Sequence, residues 1–234
     1  MDVSGKKAVV LGGTSGIGLA TTRRLAQLGA AVVAVSRNPD KAGELPAGAT
    51  TRACDVLDRD AMAVLFAACA PYDILVSAAT GGERAFGRFT EMDMDGFQGS
   101  FDKLWGYANA IRYGTGHLAD DGAIVLVSGA PARRMRPGMV AIGSVGAAVE
   151  SLVRSVALEI SPRRINVVSP GIIDTPMIAA QGEAREKMLA GATRSNLIPR
   201  AGTADEVAQA ILFCIQNDFV TGTTVDVDGG WLLT

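Results

Sequence analysis

The sequence predicts an α/β protein: a Rossmann-type, doubly wound parallel sheet of seven strands with helices on both faces. Three observations lead there. Short, nearly continuous apolar runs alternate with longer amphipathic ones, the pattern of strands buried on both faces beneath helices. The first apolar run opens directly into a Gly-rich turn, Gly12-Gly13-Thr14-Ser15-Gly16-Ile17-Gly18, where a helix starts. No linker, low-complexity segment or solenoid-period repeat interrupts the 234 residues, too few for two ordinary α/β domains, so residues 1–234 are expected to form one domain.

The elements follow in order. Lys7–Leu11 (KAVVL) reads as the first buried strand. Ile17–Leu28 is a helix that stops at Gly29, a natural C-cap. Ala31–Ser36 (AVVAVS) is the second strand, Pro39–Leu45 a short helix and Thr50–Ala53 the third strand. Asp58–Cys69 is helical, and Ile74–Ser77 (ILVS) is the fourth strand. One long helix is expected over Met94–Gly114, then a fifth strand at Ala123–Ser128 (AIVLVS). A second long helix, Val140–Ile160, precedes the strand Arg164–Ser169 (RINVVS). Helices over Glu183–Ser195 and Ala204–Gln216 and a last strand at Thr224–Val227 close the chain. Right-handed crossovers between parallel strands leave the doubly wound sheet as the leading topology.

Composition narrows the function. Hydrophobic residues make up 48% and charged residues 20%, the balance of a globular protein. With 22 Lys+Arg against 24 Asp+Glu, the net charge of −2 gives no field to hold nucleic acid or an anionic membrane. No uninterrupted apolar stretch approaches the roughly 20 residues of a membrane span. The polar Met1–Lys7 segment runs straight into a strand, so no signal peptide is expected. Three cysteines (Cys54, Cys69, Cys214) without CxxC spacing point to reduced thiols and a cytoplasmic location. The lone histidine, His117, argues against a His-based metal site or a Ser-His-Asp triad; it lies before the fifth strand, and no metal is expected.

The Gly-rich turn suits a dinucleotide. Its glycines let backbone approach a pyrophosphate that a Cβ would block, and the helix N-terminus offers free N–H groups and a positive dipole end. Gly12, Thr14, Ser15, Gly16, Ile17 and Gly18 are the candidate contacts; the bland alternative is a plain tight turn. About 20 residues on, the second strand ends in Ser36-Arg37 where a ribose-binding acid is common. A hydroxyl and a guanidinium suit a 2′-phosphate, so NADP is favoured over NAD; otherwise Arg37 is a solvated surface charge.

Further segments complete a resemblance. Gly12–Gly18, Cys54-Asp55-Val56, Ser77-Ala78-Ala79, Ser128, Pro170-Gly171-Ile172-Ile173-Asp174-Thr175 and the closing Val225-Asp226-Val227-Asp228-Gly229-Gly230 resemble the short-chain dehydrogenase/reductases over essentially the whole chain. The resemblance implies that Asp55 and Val56 hold the adenine. It implies that Ala78 and Ala79, where the family usually has Asn-Ala-Gly, line the cofactor by backbone. Pro170 and Gly171 belong to the same cofactor wall, Ile173 meets the nicotinamide carboxamide, and Thr175 lies beside it. Ser128 would hydrogen-bond the substrate oxygen.

The pattern then breaks. The family's chemistry rests on a Tyr and a Lys four residues apart on the helix after the fifth strand. In register with Ala147-Ala148-Val149-Glu150, those positions hold Ile142 and Gly146. Residues four apart share one helix face, so the cofactor side has lost both groups. On the preceding helix Lys103 occupies the place where the family usually has Asn. Lys103 is expected either to fill the gap beside Gly146 as a relocated ammonium of lowered pKa, or to be a solvated helix lysine. Tyr107, one turn on, reads as packing, and Ser144 points to another side. Arg133, Arg134 and Arg136 follow Ser128; Arg133 with Ile142 is the candidate substrate contact, the alternative being a solvated loop or an intersubunit ion pair.

Two classes of function compete. The first is an NADP(H)-dependent oxidoreductase acting on the carbonyl, alcohol or enone of a small molecule with a rebuilt proton relay. The second is a silent or non-redox protein on the same scaffold, an NADPH sensor or a lyase, isomerase or cyclase. Residues 179–198 are expected to form a lid over a moderately apolar ligand. Trp105, Val149, Leu152 and Val156, with Trp231-Leu232-Leu233, suggest contact faces of a homo-oligomer, a tetramer or dimer.

Overall fold

The computed structural model describes residues 1–234, leaving out the Lys41 side chain. The main sheet holds β1 (Lys7–Leu11), β2 (Ala31–Ser36), β3 (Ala49–Ala53), β4 (Tyr72–Ser77), β5 (Leu118–Val127), β6 (Arg164–Pro170) and β9 (Thr224–Val227). All pairs are parallel, in the order β3-β2-β1-β4-β5-β6-β9. The helices are α1 (Gly16–Gln27), α2 (Arg59–Cys69), α3 (Met94–Ser100), α4 (Asp102–Gly114), α5 (Val140–Ile160), α6 (Gly182–Thr193) and α7 (Ala204–Gln216). A separate pair, β7 (Ile173–Asp174) with β8 (Gly202–Thr203), matches Ile173 to Gly202. Strands of two residues carry no periodicity, so nothing in the sequence announces them.

The two-residue period of the strands divides the core into two layers. Val9, Leu11, Leu75, Ile124, Leu126, Ile165 and Val167 face α2, α4 and α5, where Met62, Phe66, Tyr107 and Val149 meet them. Ala8, Val10, Ile74, Val76, Val125 and Val168 face α1 and α7, through Leu25, Val207, Ile211 and Ile215. The strand order reverses between β1 and β4, which opens a crevice at their carboxyl ends, the usual ligand position in such sheets.

Three local readings change. The expected Met94–Gly114 helix is two helices hinged at Phe101. Ser100 Oγ donates back to the Gly96 carbonyl at 2.8 Å and accepts from the Ala85 N–H at 2.9 Å, a side-chain bond of the kind that bends helices. The Pro39–Leu45 helix shortens to a 3₁₀ turn at Pro39–Lys41, ended before Gly43, whose φ is +65°. β5 begins at Leu118 because Leu118 pairs with Tyr72 before the register shifts ahead of Ile74.

Helix α5 reaches the length and hydropathy of a membrane span, with a mean hydropathy of 1.4, although Glu150 and Arg154 interrupt it. Here its apolar face, with Val145, Val149 and Val153, is buried in the domain. Arg164 on β6 is also buried. Its guanidinium donates to the Cys214 and Ile215 carbonyls at 2.7 and 2.6 Å, capping the end of α7, and to the Val220 carbonyl at 3.1 Å.

Candidate active site

The crevice is built from the ends of β1, β2, β3 and β4. It is lined by Gly12, Thr14, Ser15, Gly16, Ile17, Gly18, Ser36, Arg37, Asp55, Val56, Ala78, Ala79 and Thr175, and holds about 220 Å³. The turn is tight enough to require its glycines. Gly12 has φ +76°, and a Cβ there would lie 2.8 Å from the Ala79 nitrogen; a Cβ on Gly18 would lie 2.0 Å from the Gly12 oxygen. Gly12 N–H donates to Val35 O at 2.8 Å, and Thr22 Oγ1 donates to Gly13 O at 3.0 Å, fixing the turn to β2 and α1. Ser15 caps α1 without a side-chain bond to it, so the first N–H groups of the helix have no side-chain cap.

The adenine end is shaped in the same way. Asp55 Oδ1 accepts from the Leu57 N–H at 3.0 Å, and Asn109 Nδ2 donates to the Val56 carbonyl at 2.9 Å. Gly106 lets Val56 approach α4, since a Cβ on it would lie 2.6 Å from Val56 Cγ2. Ser36 Oγ is buried with no hydrogen-bond partner among the described residues, beside the exposed Arg37. An orphaned hydroxyl, a guanidinium and a helix N-terminus in one Gly-walled crevice fit a phosphorylated dinucleotide.

A second cavity of about 660 Å³ continues from the crevice past Ile17, Ala78, Thr80, Thr175 and Met177. Its walls bring together Lys103, Ser128, Ile142, Gly146, Pro170, Gly171 and Ile173, with Tyr107, Arg84 and Trp231. Ser128 sits one residue past β5 and is buried; its N–H donates to Val168 O at 2.9 Å and its Oγ to Gly146 O at 3.2 Å. Lys103 Nζ donates to the Ser128 carbonyl at 3.2 Å and lies 5.6 Å from the centre of the Tyr107 ring. Burial pushes the Lys103 pKa down to about 7, and the charge of Arg84 adds to the effect. Tyr107 is buried too; its hydroxyl donates to Val127 O at 2.8 Å, and burial raises its pKa. Gly146 is packed closely, and a Cβ there would lie 2.9 Å from Ala132 Cβ and 3.2 Å from Ser128 Oγ.

Several expected groups stand elsewhere. Arg133 lies outside the cavity: its Nε is 3.2 Å from buried Glu150 and its Nη1 3.0 Å from Asp226, so the guanidinium is spent within the chain. Arg134 donates to Trp231 O and, at 2.9 Å, to Thr234 Oγ1, while Arg136 stacks over the Trp231 ring at 4.7 Å. Trp231 is a buried cavity wall, whereas Leu233 of the same closing segment is exposed. Val149 belongs to the core with Leu152 and Val156 packed against it, whereas Trp105 is 57% exposed. Residues 179–198 are not among the residues lining the cavity, to which this part of the chain contributes Met177 and Ile178. Arg185 of α6 instead clasps the preceding loop through Asp174 at 2.9 Å, Thr175 O at 2.8 Å and Ile178 O at 2.6 Å. The sequence reading missed Arg84, because a loop residue in Gly81-Gly82-Glu83-Arg84 carries no periodicity to aim it.

Comparison with known proteins shows what the whole chain is similar to. The profile of the family described as Enoyl-(Acyl carrier protein) reductase matches residues 12–232. The short-chain dehydrogenase/reductase malC of Malbranchea aurantiaca is 28% identical over 259 residues, covering 98% of this chain and 95% of its own. Carbonyl reductase family member 4 of Danio rerio is 32% identical over 238 residues, covering 95% and 96%. A crystal structure of a small-chain dehydrogenase in complex with NADPH superposes with a TM-score of 0.88 at 30% identity, covering 99% of this chain and 100% of that one.

Proposed function

This chain belongs to the short-chain dehydrogenase/reductase family and is an NAD(P)-dependent oxidoreductase, and we propose that it uses NADPH to reduce the carbonyl of a small molecule, with Lys103 and Ser128 replacing the family's phenol–lysine couple. When bound, the dinucleotide supplies the hydride. Gly12, Gly16, Gly18, Thr14, Ser15 and Ile17 would hold its pyrophosphate, Ser36 and Arg37 its 2′-phosphate, and Asp55 and Val56 its adenine. Ala78, Ala79, Pro170, Gly171, Ile173 and Thr175 would form the nicotinamide wall.

The observation that carries the reading is the contact between Lys103 Nζ and Ser128 in a cavity where Ile142 and Gly146 offer no proton. Ser128 Oγ turns from the Gly146 carbonyl to donate to the substrate oxygen. As the carbonyl carbon gains two electrons, its oxygen takes one proton from the Lys103 ammonium. The lysine is left as a neutral amine and reloads from solvent. A group with a pKa of about 7 is well matched to proton transfer near neutrality. Tyr107 orients the lysine and is not the donor, because its hydroxyl is already given to Val127. Ile142 packs against the apolar part of the substrate.

The test is direct. Purified protein with NADPH and a panel of aldehydes and ketones is expected to lose absorbance at the reduced-cofactor band as alcohol appears. NADPH binding without oxidation on any carbonyl would favour the sensor reading, and product formed with NADPH unchanged would favour a non-redox enzyme. The same reading extends to a homo-oligomer, dimer or tetramer, joined through exposed Trp105 and Leu158. It also extends to the cytoplasm, supported by three free, buried thiols.

A further inference from the structure

Arg84 lacks the carboxylate partner that several other arginines have. Arg133 is held by Glu150 and Asp226, Arg185 by Asp174, and Arg200 by Glu206. Arg84 is part-buried in the cavity wall, and no carboxylate pairs with it among the described residues. Burial lowers its pKa, with the buried Tyr107 hydroxyl as the one group pulling it back. The same cavity wall holds a second cation, Lys103, which the charge of Arg84 disfavours. Glu83, the one acid in the wall among the described residues, is exposed. Much of the remaining surface is apolar: Phe86, Met139, Ile142, Val145 and Ile178.

The guanidinium is not accounted for by the phosphates of the dinucleotide. Arg84 does not line the crevice, where the cation is Arg37. A part-buried guanidinium with no carboxylate partner among the described residues favours an anion, and its planar fork matches a carboxylate.

We propose that Arg84 is a specificity-determining residue that binds a carboxylate on the substrate, so that the substrate is an oxo acid with an apolar body between its carbonyl and its carboxylate. The proposal rests on the carbonyl-reductase reading and names the substrate class for the same cavity. The carboxylate neutralises Arg84 and so removes a charge that disfavours the Lys103 ammonium. Substrate binding thereby loads the proton donor.

Two probes of similar shape test this: 4-carboxybenzaldehyde and 4-methylbenzaldehyde. Calorimetry on the full chain, with and without NADP⁺, reads their Kd values in the absence of turnover. The carboxylate is expected to bind more tightly, and its advantage over the methyl compound is expected to shrink about 10–100-fold in Arg84→Gln. Arg84→Lys, which keeps the charge and loses the fork, is expected to fall between. No preference for the carboxylate in the parent, whether both probes bind equally or neither binds, overturns the proposal. So does a preference that survives Arg84→Gln. A carboxylate preference lost in Arg84→Gln, in a protein that never oxidises NADPH, leaves this assignment standing and defeats the redox reading.

Discussion

Replacing Lys103 by Met removes the ammonium and keeps a flexible apolar stem of similar length. The lysine is pulled from its ordinary 10.5 to about 7, chiefly by burial. The unfolded chain therefore binds this proton more readily than the folded one between pH 7 and 10.5. Stability rises with pH across that window, and below pH 7 the folded state carries the whole cost of a desolvated charge. At about 1.4 kcal/mol per pH unit the cost approaches an upper limit of about 5 kcal/mol, and solvent reaching the part-exposed side chain lowers it. Lys103→Met loses the bond to the Ser128 carbonyl, worth about 1 kcal/mol, so a net gain of about 1–3 kcal/mol is expected at pH 6. The gain should shrink steadily towards pH 10. Denaturant melts of both proteins at five pH values measure it. A variant less stable than the parent at pH 6, or a difference that does not vary with pH, would show that the ammonium is well solvated and refute the reasoning.

Other substitutions probe the cofactor crevice and the scaffold. Arg37→Ala should weaken NADPH about 5–30-fold, the modest value reflecting an exposed guanidinium, and leave NADH within threefold; equal weakening of both would remove the 2′-phosphate assignment. Gly146→Ala pushes a methyl group against Ala132 and Ser128 and is expected to cost about 1–3 kcal/mol, lowering Tm by about 2–10 °C; an unchanged Tm would mean that α5 shifts freely. Arg164→Met strips the donors from three carbonyls around the end of α7 and should cost about 3–5 kcal/mol in urea unfolding, whereas an unchanged midpoint would deny that contact its structural role.

The fold was legible because its determinants are local and repeated. Runs such as KAVVL and AIVLVS are apolar on both faces, and only a parallel sheet between helices hides both. The Gly12–Gly18 turn was readable for the same reason, since its glycines answer steric demands that few other settings make. Register alone puts Ile142 and Gly146 where the family's phenol and lysine are expected and points to Lys103 as the candidate. What escaped depends on contacts between distant segments. Nothing near Arg133 in sequence announces Glu150 and Asp226, which withdraw it from the cavity. Nothing in the Gly81–Phe86 loop announces that Arg84 turns inwards. Val149 reads as a contact face because α5 carries more apolar residues than one buried face needs, which hides which of them meet the sheet. Residues 179–198 looked like a lid because they follow the nicotinamide wall, but Arg185 ties α6 to its own preceding loop.

The central claim is that Lys103 delivers the proton that the family takes from a phenol. The most direct measurement is kcat/KM for NADPH-dependent carbonyl reduction against pH, in the parent and in Lys103→Met. The parent should be level below pH 7 and fall about tenfold per unit above it as the ammonium is lost, and the variant should be about 10²–10⁴-fold slower with no inflection there. A variant that keeps the parent's rate and its inflection near pH 7 would place the proton donor elsewhere.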